Sequence, residues 1–388
     1  MKIDRIIARP VTDPSLFGRK GSARQQWSRN TDAGNTMGRH AEFTGQGSRL
    51  QPPWPAVACV AIAEDGSFGL GMTDHSGPVC PMINDHFGPL IRGESALATE
   101  RLWEMMFRVA QVYGVFGIAS HAISAVDLAL WDLKGKLLGR PAYELMGGPA
   151  RPAIRCYATG HDYDWYRELG FEAIKLCAPF AEARGNAAID ACEAIAADAR
   201  ARLGASFELM LDCWPISDAS FVVRLAEQLR PYRLGWLEDF VYPEDMASLS
   251  EVRRRLPWQT LASGERWHTP MPFKDAAARR LIDMFQPDVQ WAGGATSVLK
   301  IGHIAEAAGI GVALHGGMND AYGQHLAYAM PNNIWGELYV DSAPGVPLED
   351  GWRPTPGMAL PKGGYLVPSD APGFGITLNL DQIEAATA

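Results

Sequence analysis

A (β/α)8 barrel behind an α+β capping unit is the fold that three features of this 388-residue chain predict. Eight short apolar runs follow one another between residues 153 and 340, with helix-length stretches between them, and parallel strands with helical crossovers read this way. Eight is the number that closes a barrel. Six consecutive runs carry an ionisable residue near their C-terminal ends, the edge where barrel enzymes build active sites. The residues ahead of this region lack the alternation, which sets them apart as a separate unit. An open doubly wound sheet is the alternative. It normally brings a glycine-rich phosphate turn after its first strand, and "YATGHDYDW" is not GxGxxG.

In order along the chain, residues 2–8 and 57–63 are predicted strands from their β-branched and apolar residues. Between them, residues 14–55 are rich in Gly, Arg, Ser and Asn and end near Pro52, Pro53 and Pro55. A loop this long inside a compact domain is usually disordered or functional, and a lid is one functional form. Helical spacing returns over 95–114 and 119–138. The second stretch, "HAISAVDLALWDLKGKLLG", is apolar around most of its circumference and should be buried. The breakers of "GRPAYELMGGPARP" then precede the barrel runs. Residues 1–125 are assigned to the capping unit and 126–344 to the barrel. Residues 345–388, rich in Pro and Gly at their start, are expected to pack back on the capping unit.

The composition excludes several classes of function. The apolar fraction is 47% and the charged fraction 20%, both ordinary for a globular protein. With a net charge of −9 and no basic cluster longer than Arg253-Arg254-Arg255, nucleic acid is not an expected partner. No run approaches the length needed to span a bilayer, and "MKIDRIIARP" lacks the apolar core of a signal peptide. The six cysteines form no CxxC pair, so reduced thiols in a cytoplasmic protein are expected.

The runs "FELMLDCW", "LGWLEDF", "TLASGE", "DMFQPDV", "GVALHGG" and "NIWGELYV" supply Asp212, Glu238, Glu265, Asp288, His315 and Glu337. The gaps between them are 26, 27, 23, 27 and 22 residues, each one strand-helix unit. A charge in a buried parallel strand is costly unless paired or bound to metal. One such residue would read as a salt-bridged strand end, but six in register read as a site. Asp212, Glu238 and Glu265 come from neighbouring strands and would repel one another. An oxygen-only set of this kind suits Mg2+. Asp288 and His315 follow on adjacent strands, about 4.8 Å apart. A carboxylate on one imidazole nitrogen raises the basicity of the other, which makes His315 a candidate general base. Glu337 completes the circle, and in protonated form it could donate to an oxygen where charge develops.

In that order, the strings "YATG", "LMLDCW", "WLED", "SGE", "FQPDVQWAGG" and "HGG" resemble the mandelate racemase subgroup of the enolase superfamily. Within it, the L-rhamnonate dehydratase family is the most similar. The likeness runs over about residues 120–340 and is loose before that. It implies an enolase-like modified barrel and Mg2+ held by Asp212, Glu238 and Glu265. It further implies an Asp288–His315 dyad, Glu337 as the acid facing the developing charge, and Arg49 as a substrate-binding arginine from the lid. Many relatives carry Lys-x-Lys on the second strand. Here Lys175 is present as a substrate contact, while Cys177 takes the place of the second base. A thiol is a poor substitute, which argues against racemisation. Arg266, another expected substrate contact, stands where the rhamnonate enzyme has histidine.

The resemblance thus implies a sugar-acid dehydratase: removal of the C2 proton, loss of the C3 hydroxyl and a 2-keto-3-deoxy product. L-Rhamnonate leads among substrates, with L-lyxonate and L-mannonate behind it, and a symmetric homo-oligomer is expected. The rivals are an epimerase or cycloisomerase of the same superfamily and a non-catalytic barrel that binds a metal or sugar acid. An amidohydrolase would need His-x-His where this chain has "CYATG".

Overall fold

The computed structural model describes residues 1–17, 37, 40–43, 53–180, 185–214, 218–351 and 354–387. Most of the expected lid, Arg49 included, lies outside the described residues.

Three antiparallel strands open the chain: β1 (Ile3–Pro10), β2 (Val57–Ala63) and β3 (Phe68–Thr73), in that order in the sheet. After a helical stretch over residues 76–91 come two longer helices, α1 (Thr99–Ala110) and α2 (Ile118–Leu138). The first begins four residues later than the spacing predicts because Ser95 bridges to Lys2 at the start of the sheet. Helix α2 lies directly on β3. The alternating Gly69 and Gly71 present no side chain there, and a Cβ at either would come within 2.1 Å of a helix carbonyl oxygen, that of Ala129 or Ala125. This close approach buries α2 on nearly all sides, as its all-round apolar character predicts.

The position 125/126 falls inside α2, whose buried carboxylates tie it to both neighbours. Asp127 accepts from Thr296 N (2.8 Å) and Thr296 Oγ1 (2.7 Å), next to the barrel. Asp132 accepts from Leu70 N (2.9 Å) on β3 and Phe374 N (3.0 Å) in the C-terminal segment. That segment also reaches the first strand's end, where Thr12 N donates to Ala386 O at 2.8 Å.

Eight strands then form the barrel: β4 (Ile154–Thr159), β5 (Ala173–Cys177), β6 (Glu208–Asp212), β7 (Leu237–Glu238), β8 (Leu261–Ser263), β9 (Met284–Phe285), β10 (Gly311–Val312) and β11 (Gly336–Tyr339). They pair in parallel from β4 through to β10, and β11 pairs with β4. A bridge between Val312 and Asn333 joins β10 to the segment leading into β11, which closes the ring. Each crossover from one strand to the next carries a helix. After β11 the pattern stops: the chain forms a four-residue helix, Leu348–Gly351, and then the short strand β12 (Tyr365–Leu366) beside β4. Among the described residues the eighth strand therefore lacks its own crossover helix, the modification implied by the resemblance. No helix is long and apolar enough to cross a membrane among the described residues.

The barrel interior follows the two-residue period of its strands. Tyr157, Ala173, Met210, Trp236, Ala262, Met284, Ala313 and Trp335, one from each strand or its flank, form a single buried cluster. Two residues further along each strand, the same face presents Thr159, Lys175, Asp212, Glu238, Gln286, His315 and Glu337. An apolar floor thus lies directly beneath a polar layer.

Candidate active site at the mouth of the barrel

The polar layer brings together the six residues that the sequence singles out. Asp212, Glu238 and Glu265 each offer an oxygen, and these atoms lie within 4.8 Å of one another. All three side chains are buried. Glu265 breaks the two-residue period, since the inward position after Ala262 is Gly264. Its φ of +133° reverses the chain locally and turns the next side chain into the ring. A Cβ on Gly264 would lie 2.7 Å from Phe273 Cε1 and 3.1 Å from Gln286 N. Gly264→Ala should therefore lower stability by about 1–3 kcal/mol through backbone strain and weaken divalent-cation binding. Thermal melts and a metal titration of the variant check both effects; unchanged cation affinity would mean that Glu265 is not set by this turn.

The ring is strongly charged, and its electrostatics favour a cation. Burial, and then the charge of Glu238, push the Asp212 carboxyl well above its ordinary range. Lys175 answers part of this charge. Its ammonium donates to Glu238 Oε1 and, at 2.7 Å, to Glu337 Oε1, and lies 3.6 Å from Asp212 Oδ2. Burial disfavours that charge, yet Glu238 and Glu337 hold the ammonium well above its usual value. Arg266 answers another part, pairing with Asp239 Oδ2 at 2.5 Å and Glu265 Oε1 at 2.9 Å. Six carboxylates, those of Asp212, Glu238, Asp239, Glu265, Asp288 and Glu337, face these two permanent cations. The surplus of negative charge and the all-oxygen donor set fit a hard divalent ion such as Mg2+.

Next to Glu265 in the ring, His315 has its Nδ1 2.9 Å from Asp288 Oδ2. Asp288 Oδ1 accepts from Gln290 N at 2.7 Å, which fixes the carboxylate. The other imidazole nitrogen, Nε2, is 3.3 Å from the Tyr339 hydroxyl and 3.6 Å from Glu265 Oε2. Burial lowers the affinity of His315 for a proton, but Glu265, Asp288 and Glu337 outweigh it and raise the imidazole to about 10.

Two expectations change in this setting. Glu337 was expected as a neutral acid, but it accepts from Thr159 Oγ1 (2.5 Å), Lys175 Nζ (2.7 Å) and Gly316 N (2.8 Å). Burial alone would raise its carboxyl, yet Lys175 and His315 hold it below its ordinary value. A carboxylate with three donors cannot itself donate. Lys175 was expected to touch substrate, but it has 0% exposure and its ammonium faces carboxylates, so it is placed as a counter-charge. Arg266 has two guanidinium nitrogens in ion pairs and keeps 28% exposure.

Cys177 occupies the inward position two residues beyond Lys175, and burial and Asp212 push its thiol far above its usual range. Residues that the sequence reading passed over include Thr159, Trp236, Gln286 and Tyr339. Trp236 Nε1 and Gln286 Nε2 donate to Glu238 Oε2 at 2.8 and 2.7 Å. Trp236, Gln286 and Tyr339 each share a strand face with a residue already singled out, so the two-residue period held their signal, whereas Thr159 comes from β4, where no residue had been singled out.

Two family profiles match the chain: Mandelate racemase / muconate lactonizing enzyme, N-terminal domain, over residues 54–147, and Enolase C-terminal domain-like, over residues 162–383. A protein named L-rhamnonate dehydratase from Saccharopolyspora erythraea is 35% identical over 319 residues, covering 82% of this chain and 81% of its relative. The crystal structure of L-rhamnonate dehydratase from Gibberella zeae is similar with a TM-score of 0.87 at 25% identity, covering 99% of this chain and 95% of that one. A second structure of the Gibberella zeae enzyme, complexed with Mg, gives a TM-score of 0.86 at the same identity and coverage. With both domains matched and a relative 35% identical over most of the chain, the chain belongs to the mandelate racemase / muconate lactonizing enzyme family of the enolase superfamily.

Proposed function

We propose that this protein is a magnesium-dependent sugar-acid dehydratase, with L-rhamnonate the leading substrate. One observation carries the reading: the Asp288–His315 pair, at 2.9 Å, shares the barrel mouth with the three clustered carboxylates, His315 Nε2 lying 3.6 Å from Glu265 Oε2. Similarity to proteins named L-rhamnonate dehydratase supports the choice of reaction and substrate.

When bound by Asp212, Glu238 and Glu265, Mg2+ would supply positive charge against the anion that develops on the substrate carboxylate. The surrounding carboxylates, Glu265 first, favour the protonated imidazole, and positive charge seated on Glu265 would oppose that. In the neutral ring Asp288 holds the Nδ1 proton and leaves the Nε2 lone pair free to take the proton from C2. The electron pair of that C–H bond first moves onto the carboxylate and then forms the C2–C3 double bond as the C3–O bond breaks. The proton taken by His315 ends on the departing oxygen, water leaves, and the resulting enol tautomerises to the 2-keto-3-deoxy acid. Lys175 and Arg266 keep the carboxylates of the ring at fixed positions throughout. Racemisation or epimerisation at C2 needs a second base on the opposite face of the carbon. The residue there is Cys177, whose thiol holds its proton tightly.

The test is to incubate the enzyme with Mg2+ and a panel of aldonic and aldaric acids and measure 2-keto-3-deoxy product. L-Rhamnonate should be turned over, with L-lyxonate and L-mannonate as the next acids to examine. Binding with neither product nor exchange of the C2 proton in heavy water would favour a non-catalytic barrel, and a C2 epimer as product would favour an epimerase.

A further inference from the structure

We propose that the phenolic hydroxyl of Tyr339 is a second acid in this reaction, carrying a proton from His315 to the departing hydroxyl of the substrate. The inference rests on the dehydratase reading and adds to it a residue and a step.

Three placements support the relay. The Tyr339 oxygen is 3.3 Å from His315 Nε2, the nitrogen that Asp288 leaves free. Tyr339 lies two residues beyond Glu337 on β11, so its side chain shares the inward face but sits one layer nearer the mouth. Glu337 there is buried, whereas Tyr339 is half-buried. Although Tyr339 ends its strand, its backbone is clamped on both sides by one side chain: Tyr339 N donates to Asn319 Oδ1 at 2.8 Å, and Asn319 Nδ2 donates to Tyr339 O at 3.0 Å. A terminal strand residue held this way keeps its ring in place against the imidazole, with centroids 6.1 Å apart.

The contact changes polarity during the reaction. With His315 neutral and its Nδ1 proton on the Asp288 side, the phenol is the donor in this contact and the Nε2 lone pair the acceptor. For Nε2 to take the C2 proton, the phenol O–H must rotate away, and an oxygen of the bound substrate is an acceptor it can turn towards. Once Nε2 is protonated, it becomes the donor and the phenolic oxygen the acceptor. The relay then runs in one direction. The C3–O bond breaks with its electron pair staying on oxygen, that oxygen takes the phenolic proton, and the Nε2 proton replaces it on Tyr339. Water leaves, His315 is again neutral and Tyr339 is again a phenol, so protons and charge balance. Burial, with Glu337 beside it, disfavours the phenolate. The hydroxyl therefore keeps its proton at rest and releases it as the imidazolium proton arrives.

Tyr339→Phe, assayed with Mg2+ present, tests the relay. Dehydration should fall about 100-fold, the lower end of what general acid catalysis contributes, with little change in KM. Exchange of the C2 proton with heavy water in recovered substrate should persist within a few-fold of wild type, because His315 remains. A 3-deoxy-3-fluoro analogue, whose fluoride leaves without needing a proton, should be turned over by variant and wild type at similar rates. Dehydration near the wild-type rate would overturn the relay. So would a parallel fall in dehydration, exchange and fluoride loss, since Tyr339 would then merely position His315. A wild-type enzyme that dehydrates no sugar acid would instead remove the dehydratase reading itself, and the relay with it.

Discussion

His315→Asn should reduce turnover by about 10³-fold or more while leaving the fold and divalent-cation binding in place. The size follows from the loss of a general base, worth roughly 10²–10⁴-fold in rate, in a site where, among the described residues, neither Cys177 nor Lys175 is poised for the task. Cys177 keeps its proton through burial and the charge of Asp212. Lys175 is held protonated by Glu238 and Glu337. Asparagine can still offer an N–H towards Asp288, so the carboxylate is not left without a partner. The ligand candidates come from β6, β7 and the turn after β8, whereas His315 follows β10. Calorimetric titration with Mg2+ should therefore give similar stoichiometry for variant and wild type. Turnover near the wild-type rate would place the base elsewhere. Loss of cation binding together with activity would mean that the variant damages the ring as a whole.

Lys175→Met should produce the largest change in stability, and the change should depend on the cation. The wild-type ammonium has 0% exposure and sits among Asp212, Glu238 and Glu337. Removing one partner from a buried charge cluster leaves the others uncompensated, a loss of about 3–5 kcal/mol. In chelator the variant should melt well below the wild-type protein. A cation seated among the carboxylates replaces part of the missing charge, so Mg2+ should raise the melting temperature of the variant more than that of the wild type. Melting curves of both proteins, with Mg2+ and with chelator, decide the matter. Equal Mg2+-induced shifts would show that Lys175 and the cation do not answer the same charge.

Much of this site was legible in the primary structure because charges are rare inside parallel strands. Asp212, Glu238, Asp288, His315 and Glu337 each interrupt an apolar run, and the interruptions recur once per strand-helix unit. A closed ring of strands must bring such residues to one rim, whatever the details of packing. Glu265 was legible by the same rule, but its inward direction was not. It follows Gly264 out of period, and the φ of +133° that turns it inward is a property of the folded backbone. The missing crossover helix after β11 was not legible in the periodicity, because residues 345–388 contain apolar positions that serve the packing of the C-terminal segment; only the resemblance implied it.

The sequence by itself determined the barrel, the order of its strands and the identities of the ring residues, because periodicity and spacing are properties of the chain. Protonation, partnership and direction belong to the tertiary structure, because they depend on distances between residues far apart in sequence. Glu337 was legible as a carboxyl but becomes an ionised acceptor only when Thr159, Lys175 and Gly316 converge on it. Lys175 was legible as a lysine on the second strand, yet its role as counter-charge needs carboxylates from three other strands. Tyr339 reads in the sequence as an ordinary strand residue, and only the folded barrel brings its hydroxyl to 3.3 Å from the imidazole of His315.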